Sequence, residues 1–193
     1  MKITASEIPD VKIIEPQVFG DSRGYFFESY RHENFAKQIG PVHFVQENES
    51  FSTYGVLRGL HFQKPPMGQG KLVRVISGEV LDVAVDIRCG SPWFGKHVAI
   101  KLSGENKKQI WIPPGFAHGY VVLSAEAIFA YKCDDYYSPA HESGISYNDP
   151  FLKIDWLLDP SQIKVSEKDR RHAGFEKTLA VKLFHYKQKK AIF

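Results

Sequence analysis

GVLRGLHFQ, residues 55–63, decides the fold, because it reads as a β-strand that carries two polar side chains among apolar ones. In an alternating strand, positions 57, 59, 61 and 63 share one face and positions 56, 58, 60 and 62 share the other, which predicts Arg58 and His61 on opposite faces. An imidazole or a guanidinium inside an all-β core costs free energy unless a partner satisfies it. The stretch therefore predicts a polar site within a β fold.

Short strands and glycine- or proline-rich turns continue on both sides of this stretch. One helix is predicted over 31–39, ended by Gly40-Pro41, and a β-hairpin over 71–88, turning at Ser77-Gly78. This pattern is typical of an antiparallel barrel or jelly roll, and we expect a two-sheet roll with short helices at its ends and a cavity at one mouth. The other predicted strands are 11–19, 25–30, 43–52, 96–102, 109–113, 119–124 and 127–133.

The composition is that of an ordinary globular protein. The chain has 193 residues, of which 43% are hydrophobic and 24% charged, and its formal net charge is +3. We expect one domain over 1–193, with no role assigned to a tail of about 176–193. The small net charge argues against a nucleic-acid partner, and no apolar run suits a membrane span or a signal peptide, so we expect no membrane partner and a cytoplasmic protein. Cys89 and Cys133 lack metal-type spacing and are interpreted as reduced packing residues.

Four positions have an ordinary structural explanation when each is taken alone. Arg23 lies in a short turn and is typical of a solvated loop arginine, and Lys71 begins a strand, where a lysine side chain usually reaches into water. Tyr131 is most simply a core or rim aromatic residue. Asp169 ends the run Ser166-Glu167-Lys168-Asp169, whose spacing matches a helix capping box.

Two kinds of chemistry compete for the histidine of the central stretch. A metal site in such a roll needs converging nitrogen or carboxylate ligands, commonly His-x-His with a further Glu and His. The run His61-Phe62-Gln63 lacks the second imidazole, and Lys71 stands where a carboxylate is expected, so no metal is predicted. Without a metal, His61 could abstract a proton beside a carbonyl if a carboxylate orients it and Lys71 stabilises the enolate. A tyrosine such as Tyr131 could return a proton to the other face, which is epimerisation.

A series of segments in order carries a recognisable pattern from about residue 8 to residue 170: DSRGYFFESY, FVQENES, GVLRGLHFQ, GQGKLVRVISGEVLDVAVDIR, SPWFG, WIPPGFAHGYVVLS, YKCDDYYSP, NDP, IDW and SEKDR. Together they closely resemble the dTDP-4-dehydrorhamnose 3,5-epimerase family. The resemblance implies a mainly β fold, the cupin-type double-stranded β-helix (jelly roll) with a few short helices. It also implies a cofactor-independent isomerase of dTDP-L-rhamnose synthesis, which inverts C3 and C5 of dTDP-4-dehydro-6-deoxy-D-glucose to give dTDP-4-dehydro-L-rhamnose.

The same resemblance implies roles for individual residues. His61 would be the catalytic base, Asp169 the carboxylate that orients it, and Tyr131 the general acid. Lys71, helped by His118, would hold the enolate oxygen at C4. The implied contacts to the dTDP-sugar are Arg23 and Lys168, to pyrophosphate, Tyr137, stacked on thymine, and Glu28, Gln46, Glu47, Asn48, Arg58, His118 and Glu142.

The chain departs from the family's pattern at two places. Glu47 stands where Asp is more common, and RHAGFE follows SEKDR without the proline that is often found there. Members of the family tend to be homodimers that exchange strands between subunits. A homodimer is therefore expected, and in it Arg23 could serve the neighbouring subunit's site.

Three alternatives stay open at this point. A monofunctional relative would invert only C3 or only C5 of a related dTDP-deoxysugar with the same His, Lys and Tyr set. A metal cupin, acting as an oxygenase or isomerase, would lose its activity to a chelator. A catalytically inactive nucleotide-sugar binding module would become attractive if His61 and Asp169 were too far apart to hydrogen-bond.

Overall fold

The computed structural model describes residues 1–179 and 183–186, so part of the predicted tail of about 176–193 lies outside the described residues. The helices are α1 His32–Gln38, α2 Glu167–Arg170 and α3 Phe175–Leu179, with a 3-10 turn at Pro160–Gln162. No helix in the described part of the chain is long and apolar enough to cross a membrane. The strands are β1 Lys2–Ala5, β2 Lys12–Glu15, β3 Val18–Asp21, β4 Gly24–Phe27, β5 Gln46–Thr53, β6 Leu57–Gln63, β7 Lys71–Ser77, β8 Glu79–Asp86, β9 Arg88–Cys89, β10 His97–Ser103, β11 Gln109–Ile112, β12 Phe116–Val122, β13 Glu126–Cys133, β14 Glu142–Gly144 and β15 Phe184–His185.

Two antiparallel sheets form the body of the protein. The larger has six strands in the order β1-β2-β11-β7-β13-β5, and the smaller has five in the order β10-β8-β12-β6-β14. A hairpin, β3–β4, and a short parallel pair, β9–β15, stand apart from them. This arrangement confirms the predicted mainly β roll with a few short helices.

The main core lies between the two sheets. Val73 of β7 and Phe129 of β13 come from the six-stranded sheet, and Val80 and Ala84 of β8 come from the five-stranded sheet. Each of these side chains is no more than 1% exposed. Burying a side chain the size of Val or Phe stabilises the fold by about 1.5–3 kcal/mol, so these contacts hold the two sheets face to face. The polar site lies outside this core, at one mouth of the roll.

A second core covers the outer face of the five-stranded sheet. Leu81, Val83 and Val85 of β8 pack there against Trp156 and Phe175 from the C-terminal part of the chain. The strand is therefore buried on both faces.

The covering segment is fastened to the start of β6. The Leu57 N–H donates to the Lys164 carbonyl, and the Lys164 N–H donates to the Gly55 carbonyl, each at 2.8 Å. A Cβ at Gly55 would collide with the Gln162 carbonyl oxygen, and the φ of this glycine is +77°. These contacts place α2, which begins at Glu167, at the mouth of the roll.

The predicted β-hairpin at Ser77-Gly78 is wrong. β7 belongs to the six-stranded sheet and β8 to the five-stranded sheet, so the chain crosses between sheets at Gly78. Gly78 has a φ of +80°, and a Cβ there would collide with the Glu126 carbonyl oxygen. Alternation along a strand reports which residues share a face and does not report the pairing partner, so a hairpin and a crossover look alike in sequence.

The β3–β4 hairpin carries aromatic side chains on the surface of the chain. Phe19, Tyr25 and Phe26 are 56%, 60% and 71% exposed. Lys107 fastens the hairpin to the body, because its Nζ donates to the Tyr25 hydroxyl at 2.8 Å and lies 4.0 Å from the centroid of that ring. The predicted turn is confirmed, and it presents an apolar surface of the kind that marks an interaction site.

Candidate active site

A β-bulge in β6 aims two polar side chains into one cavity. His61 pairs with His118 of β12, and Arg58 pairs with Tyr120, so three steps along β6 match two along β12. The extra residue lies at Gly59, whose φ is +135° and where a Cβ would lie 2.5 Å from the Gly119 Cα. Strict alternation, which predicted Arg58 and His61 on opposite faces, is therefore wrong here, because a bulge redirects the side chains that follow it.

The cavity lies at the mouth of the roll. Its volume is about 580 Å³, which is within the range of pockets that hold small ligands. The five-stranded sheet, the six-stranded sheet and the segment around α2 all contribute side chains. Among the predicted site residues, the cavity wall contains Arg58, His61, Lys71, His118, Tyr131, Lys168 and Asp169.

His61 and Asp169 form a hydrogen-bonded pair in this wall. The distance from His61 Nε2 to Asp169 Oδ1 is 2.7 Å, and the Gly59 N–H donates to Asp169 Oδ2 at 3.4 Å. Burial alone would raise the pKa of Asp169, but the hydrogen bonds from His61 and from the Gly59 N–H lower it, and the pKa of this carboxyl lies below its usual value. An ionised carboxylate only accepts hydrogen bonds, so the proton is assigned to His61 Nε2 and the lone pair to Nδ1.

The capping-box interpretation of Asp169 is half confirmed. Ser166 is the N-cap of α2, and its Oγ accepts from the Asp169 N–H at 3.1 Å. The carboxylate accepts instead from His61, which lies 108 positions earlier in the chain. The backbone of Asp169 thus serves the helix and its side chain serves the cavity.

Lys71 lies beside Tyr131 in a desolvated part of the cavity. Its Nζ is 5.7 Å from the centroid of the Tyr131 ring. Burial lowers the pKa of Lys71, while Cys133, Asp82 and Glu142 act in the opposite direction. A lysine of lowered pKa is a better proton donor than a solvated one, so this side chain suits an oxygen that gains negative charge.

Tyr131 faces the cavity from β13, in the sheet opposite to that of His61. Burial, with Cys133 and Tyr120 adding to it, raises the pKa of Tyr131 to about 12. The phenol is therefore protonated at neutral pH, as a general acid must be. His61 and Tyr131 thus stand on two opposing walls of the cavity.

A second histidine–carboxylate pair supports the cavity floor. His118 Nε2 lies 2.9 Å from Asp82 Oδ2, and Asp82 is fully buried. The sequence analysis did not include Asp82 among the site residues. A signal was present, because Asp82 interrupts the apolar run from Val80 to Val85 on the face of β8 that turns toward the other sheet.

Several predicted binding residues form a connected network at the rim. The Tyr137 hydroxyl donates to Glu142 Oε2 at 2.8 Å, and Lys168 Nζ lies 2.5 Å from the same oxygen. The Tyr137 N–H donates to Gln46 Oε1 at 2.9 Å, and Gln46 in turn donates to Asn48 Oδ1 at 3.0 Å. The rim therefore joins β5, the loop after β13, β14 and α2.

Three predicted binding residues lie away from this cavity. Arg23 is paired with Asp21 in the exposed hairpin, and its side chain is 87% exposed. Glu28 pairs with Arg31 on the surface. Glu47 points to the opposite face of β5 from Gln46 and Asn48, where it pairs with a lysine, Lys132, at 2.6 Å. The binding roles of Arg23, Glu28 and Glu47 stay predictions.

His172 also borders the histidine–aspartate pair, and the sequence analysis missed it. Its Nε2 lies 3.6 Å from Asp169 Oδ1, and its ring is 5.6 Å from that of His61. The local motif lacks a second imidazole, as the sequence indicated, but the distant segment RHAGFE supplies one. His61, Asp169 and His172 together are the group in the described residues that offers converging metal-ligand atoms, all within 4.8 Å of one another.

Comparisons with known proteins find relatives that match most of the chain. The family model of dTDP-4-dehydrorhamnose 3,5-epimerase matches residues 5–177. A dTDP-4-dehydrorhamnose 3,5-epimerase from Pseudomonas aeruginosa is 57% identical over 176 residues, which are 91% of this chain and 96% of that protein.

Solved structures share the fold as well. The dTDP-6-deoxy-D-glucose-3,5-epimerase from Legionella pneumophila, in complex with dTDP-4-keto-L-rhamnose, superposes with a TM-score of 0.92 at 52% identity and covers 96% of this chain and 98% of its own. A 3'-monoepimerase from Streptomyces bikiniensis, in complex with dTDP-quinovose, has a TM-score of 0.85 at 30% identity, with 95% and 93% covered. With most of its length matched by the family model and by highly identical relatives, the chain belongs to the dTDP-4-dehydrorhamnose 3,5-epimerase family.

Proposed function

We propose that this protein is the epimerase that inverts C3 and C5 of dTDP-4-dehydro-6-deoxy-D-glucose, giving dTDP-4-dehydro-L-rhamnose in dTDP-L-rhamnose synthesis. One observation supports this most strongly: the His61–Asp169 pair, joined at 2.7 Å, stands on one wall of the cavity and the protonated Tyr131 on the other. An inactive binding module was attractive only if His61 and Asp169 were too far apart to hydrogen-bond. Their distance removes that argument.

The reaction begins with proton removal beside the C4 ketone. His61 accepts the C3 or C5 proton at Nδ1, because Asp169 holds the Nε2 proton. Asp169 also stabilises the imidazolium that forms, as a buried carboxylate on the other ring nitrogen does. No cofactor is expected, since the carbonyl of the substrate itself acidifies both positions.

The electron pair left by the proton moves to the C4 oxygen. Lys71 is the side chain placed to donate to this enolate oxygen. Its lowered pKa brings the proton affinity of the amine closer to that of the enolate oxygen. His118, held at Nε2 by Asp82, lies in the same cavity wall and can donate to this oxygen from Nδ1 when its ring carries both protons. Removing one such donor from an enzyme costs about 10²–10³ in rate in known cases.

Inversion follows when the new proton arrives on the opposite face of the ring. Tyr131 donates its phenolic proton to the same carbon from the other wall, and the C4 ketone re-forms. Before the second centre reacts, His61 returns its proton to solvent and Tyr131 regains one. A single acid and a single base can therefore serve both carbons once the sugar has turned in the cavity.

The nucleotide part of the substrate would lie along the rim. Lys168 and Arg58 are two of the cations of the cavity wall, and a cation can bind pyrophosphate remote from the reacting carbons. Tyr137 would stack on the thymine. In a homodimer, the exposed hairpin β3–β4 would bring Arg23 and Glu28 to the neighbouring subunit's cavity, and its aromatic side chains would be covered. The cytoplasmic location expected from the sequence stays a prediction.

The test is proton NMR of the reaction in D₂O. Deuterium entering both C3 and C5 of the dTDP-sugar, with inversion at both, is the expected result. Deuterium at one carbon alone would favour the monofunctional alternative, which the shared fold of the Streptomyces 3'-monoepimerase keeps open. The reaction is repeated after chelation and dialysis, and loss of activity at that step would instead favour a metal cupin.

A further inference from the structure

The wall behind the catalytic pair contains an unsatisfied imidazole. His172 Nε2 lies 3.6 Å from Asp169 Oδ1, the same oxygen that His61 Nε2 approaches at 2.7 Å. The Nε2 atom of His172 is buried and has no hydrogen-bond partner among the described residues. A buried nitrogen in this state costs free energy unless something binds it.

The three polar atoms are spaced as the ligands of one small cation would be. A tetrahedral zinc ion with bonds of about 2.0–2.1 Å has its ligand atoms roughly 3.3 Å apart. The distances of 2.7 Å and 3.6 Å to Asp169 Oδ1 lie on either side of that value, and all three atoms lie within 4.8 Å of one another. Two imidazoles and one carboxylate are a ligand set that zinc and related divalent ions accept.

The position of His172 is fixed by close packing. A Cβ on Gly144 of β14 would collide with the His172 ring, so the ring lies directly against that strand. The side chain is only 14% exposed. A ligand held in this way loses little freedom when an ion binds, which favours binding.

Lys168 precedes the ligand Asp169 in α2 and lines the same cavity. Lys168, which would repel a cation, is itself paired with Glu142.

We propose that His61, Asp169 and His172 form an inhibitory site for a divalent transition-metal ion of the zinc type. A neutral imidazole that coordinates through Nε2 carries its one proton on Nδ1. When the ion binds His61 Nε2, the proton there moves to Nδ1, and the lone pair needed to attack the substrate is lost. The inhibition rests on the proposed epimerase function, whereas binding of the ion does not.

Binding is tested by equilibrium dialysis with Zn²⁺ alone, without nucleotide sugar. The wild-type chain is expected to bind one ion at this site. His172→Asn and Gly144→Ala, the second of which displaces the ring without removing it, are expected to weaken binding at least about tenfold, the cost of even an outer-shell change at zinc sites. His32→Asn, which alters an exposed histidine at the start of α1, is the matched control and should bind like the wild type.

Inhibition is tested on the same proteins in buffered Zn²⁺. Epimerisation should fall as the site fills and return when EDTA is added, and His172→Asn should need at least about tenfold more zinc for the same inhibition. Equal zinc binding by wild type and His172→Asn, or none by the wild type, would overturn the site. Full activity of the zinc-loaded wild type would overturn its inhibitory role. Loss of activity caused by EDTA alone would count against the proposed metal-free reaction, while the dialysis would still decide the site.

Discussion

The mouth of the roll and the β3–β4 hairpin present their polar residues in opposite ways. In the mouth, His61 and Asp169 are joined at 2.7 Å, and Asp169 is 5% exposed. In the hairpin, Arg23 is 87% exposed, and its partner, Asp21, is two positions away. The proposed acid–base groups are thus held in place by contacts within one chain, whereas the contacts proposed for the hairpin would need a neighbouring subunit.

The largest expected effect comes from the mouth. His61→Ala should reduce deuterium uptake at C3 and C5 about 10²–10⁴-fold, the usual contribution of a positioned general base, while dTDP still binds at the rim. Proton NMR in D₂O and a dTDP titration measure the two properties. His32→Ala serves as the control, and uptake at the wild-type rate in His61→Ala would show that another group is the base.

Replacing a glycine by alanine should destabilise the fold more at the mouth of the roll than in the hairpin. Gly59 and Gly24 both have positive φ, of +135° and +128°, but a Cβ at Gly59 would lie 2.5 Å from the Gly119 Cα, whereas one at Gly24 meets nothing within 4 Å. Gly24→Ala should cost about 1–3 kcal/mol of backbone strain. Gly59→Ala adds a backbone collision in the bulge and should exceed about 4 kcal/mol. Urea unfolding measures both, and equal losses would contradict the account of the bulge.

A smaller effect is expected when the hairpin loses its cation. Arg23→Ala should raise KM about 10–100-fold, as the loss of a hydrogen bond to a charged group does, with kcat changed much less. Steady-state kinetics with the dTDP-sugar measure this split. Lys37→Ala, which removes a basic side chain from the last turn of α1, is the matched control.

Mixing the two variants decides which subunit Arg23 serves. In a mixed dimer of Arg23→Ala with His61→Ala, one cavity would have both a native His61 and a native Arg23 from the partner's hairpin. At a substrate concentration well below the KM of Arg23→Ala, where each variant alone is slow, the co-expressed variants should then regain activity. No regain in isolated mixed dimers would mean that Arg23 serves its own chain's cavity.

The smallest effect concerns the pH dependence of stability. Because the pKa of Asp169 is depressed in the folded chain, this group stabilises the fold above its unfolded pKa, and that contribution is lost as the pH falls through the folded pKa. The difference in unfolding free energy between wild type and Asp169→Asn should therefore shrink as the pH falls from about 6 toward 3. Asp21→Asn in the exposed hairpin should change little at any pH in added salt. A constant difference for Asp169→Asn would contradict the assignment.

The sequence predicted the strands well and their connections less well. The alternation in β5, β12 and β13 was clear, and the resemblance supplied the family, the fold class and the function, all of which are confirmed. The crossover at Gly78 was mistaken for a hairpin, because the period of two does not identify a partner strand. The bulge at Gly59 was missed because it depends on a mismatch between two strands far apart in sequence.

The site residues likewise divide into those that the sequence predicted and those that depend on contacts between distant parts of the chain. Lys71 and Tyr131 could be chosen from the resemblance, and the structure brings both to the cavity. Asp82 and His172 were not chosen: Asp82 pairs with His118, 36 positions away, and His172 joins the cavity wall because its neighbour Asp169 pairs with the distant His61. Burial and pairing of this kind are tertiary properties that local patterns do not encode.

The proposal that Tyr131 and His61 act from opposite walls of the cavity is tested most directly by the Tyr131→Phe variant in D₂O. Without the phenol, His61 can still remove a proton and return a deuteron to the same face. The account predicts deuterium uptake at C3 or C5 with the original configuration kept and with inversion strongly reduced. Inverted product formed at the wild-type rate would contradict the central claim that Tyr131 supplies the second face.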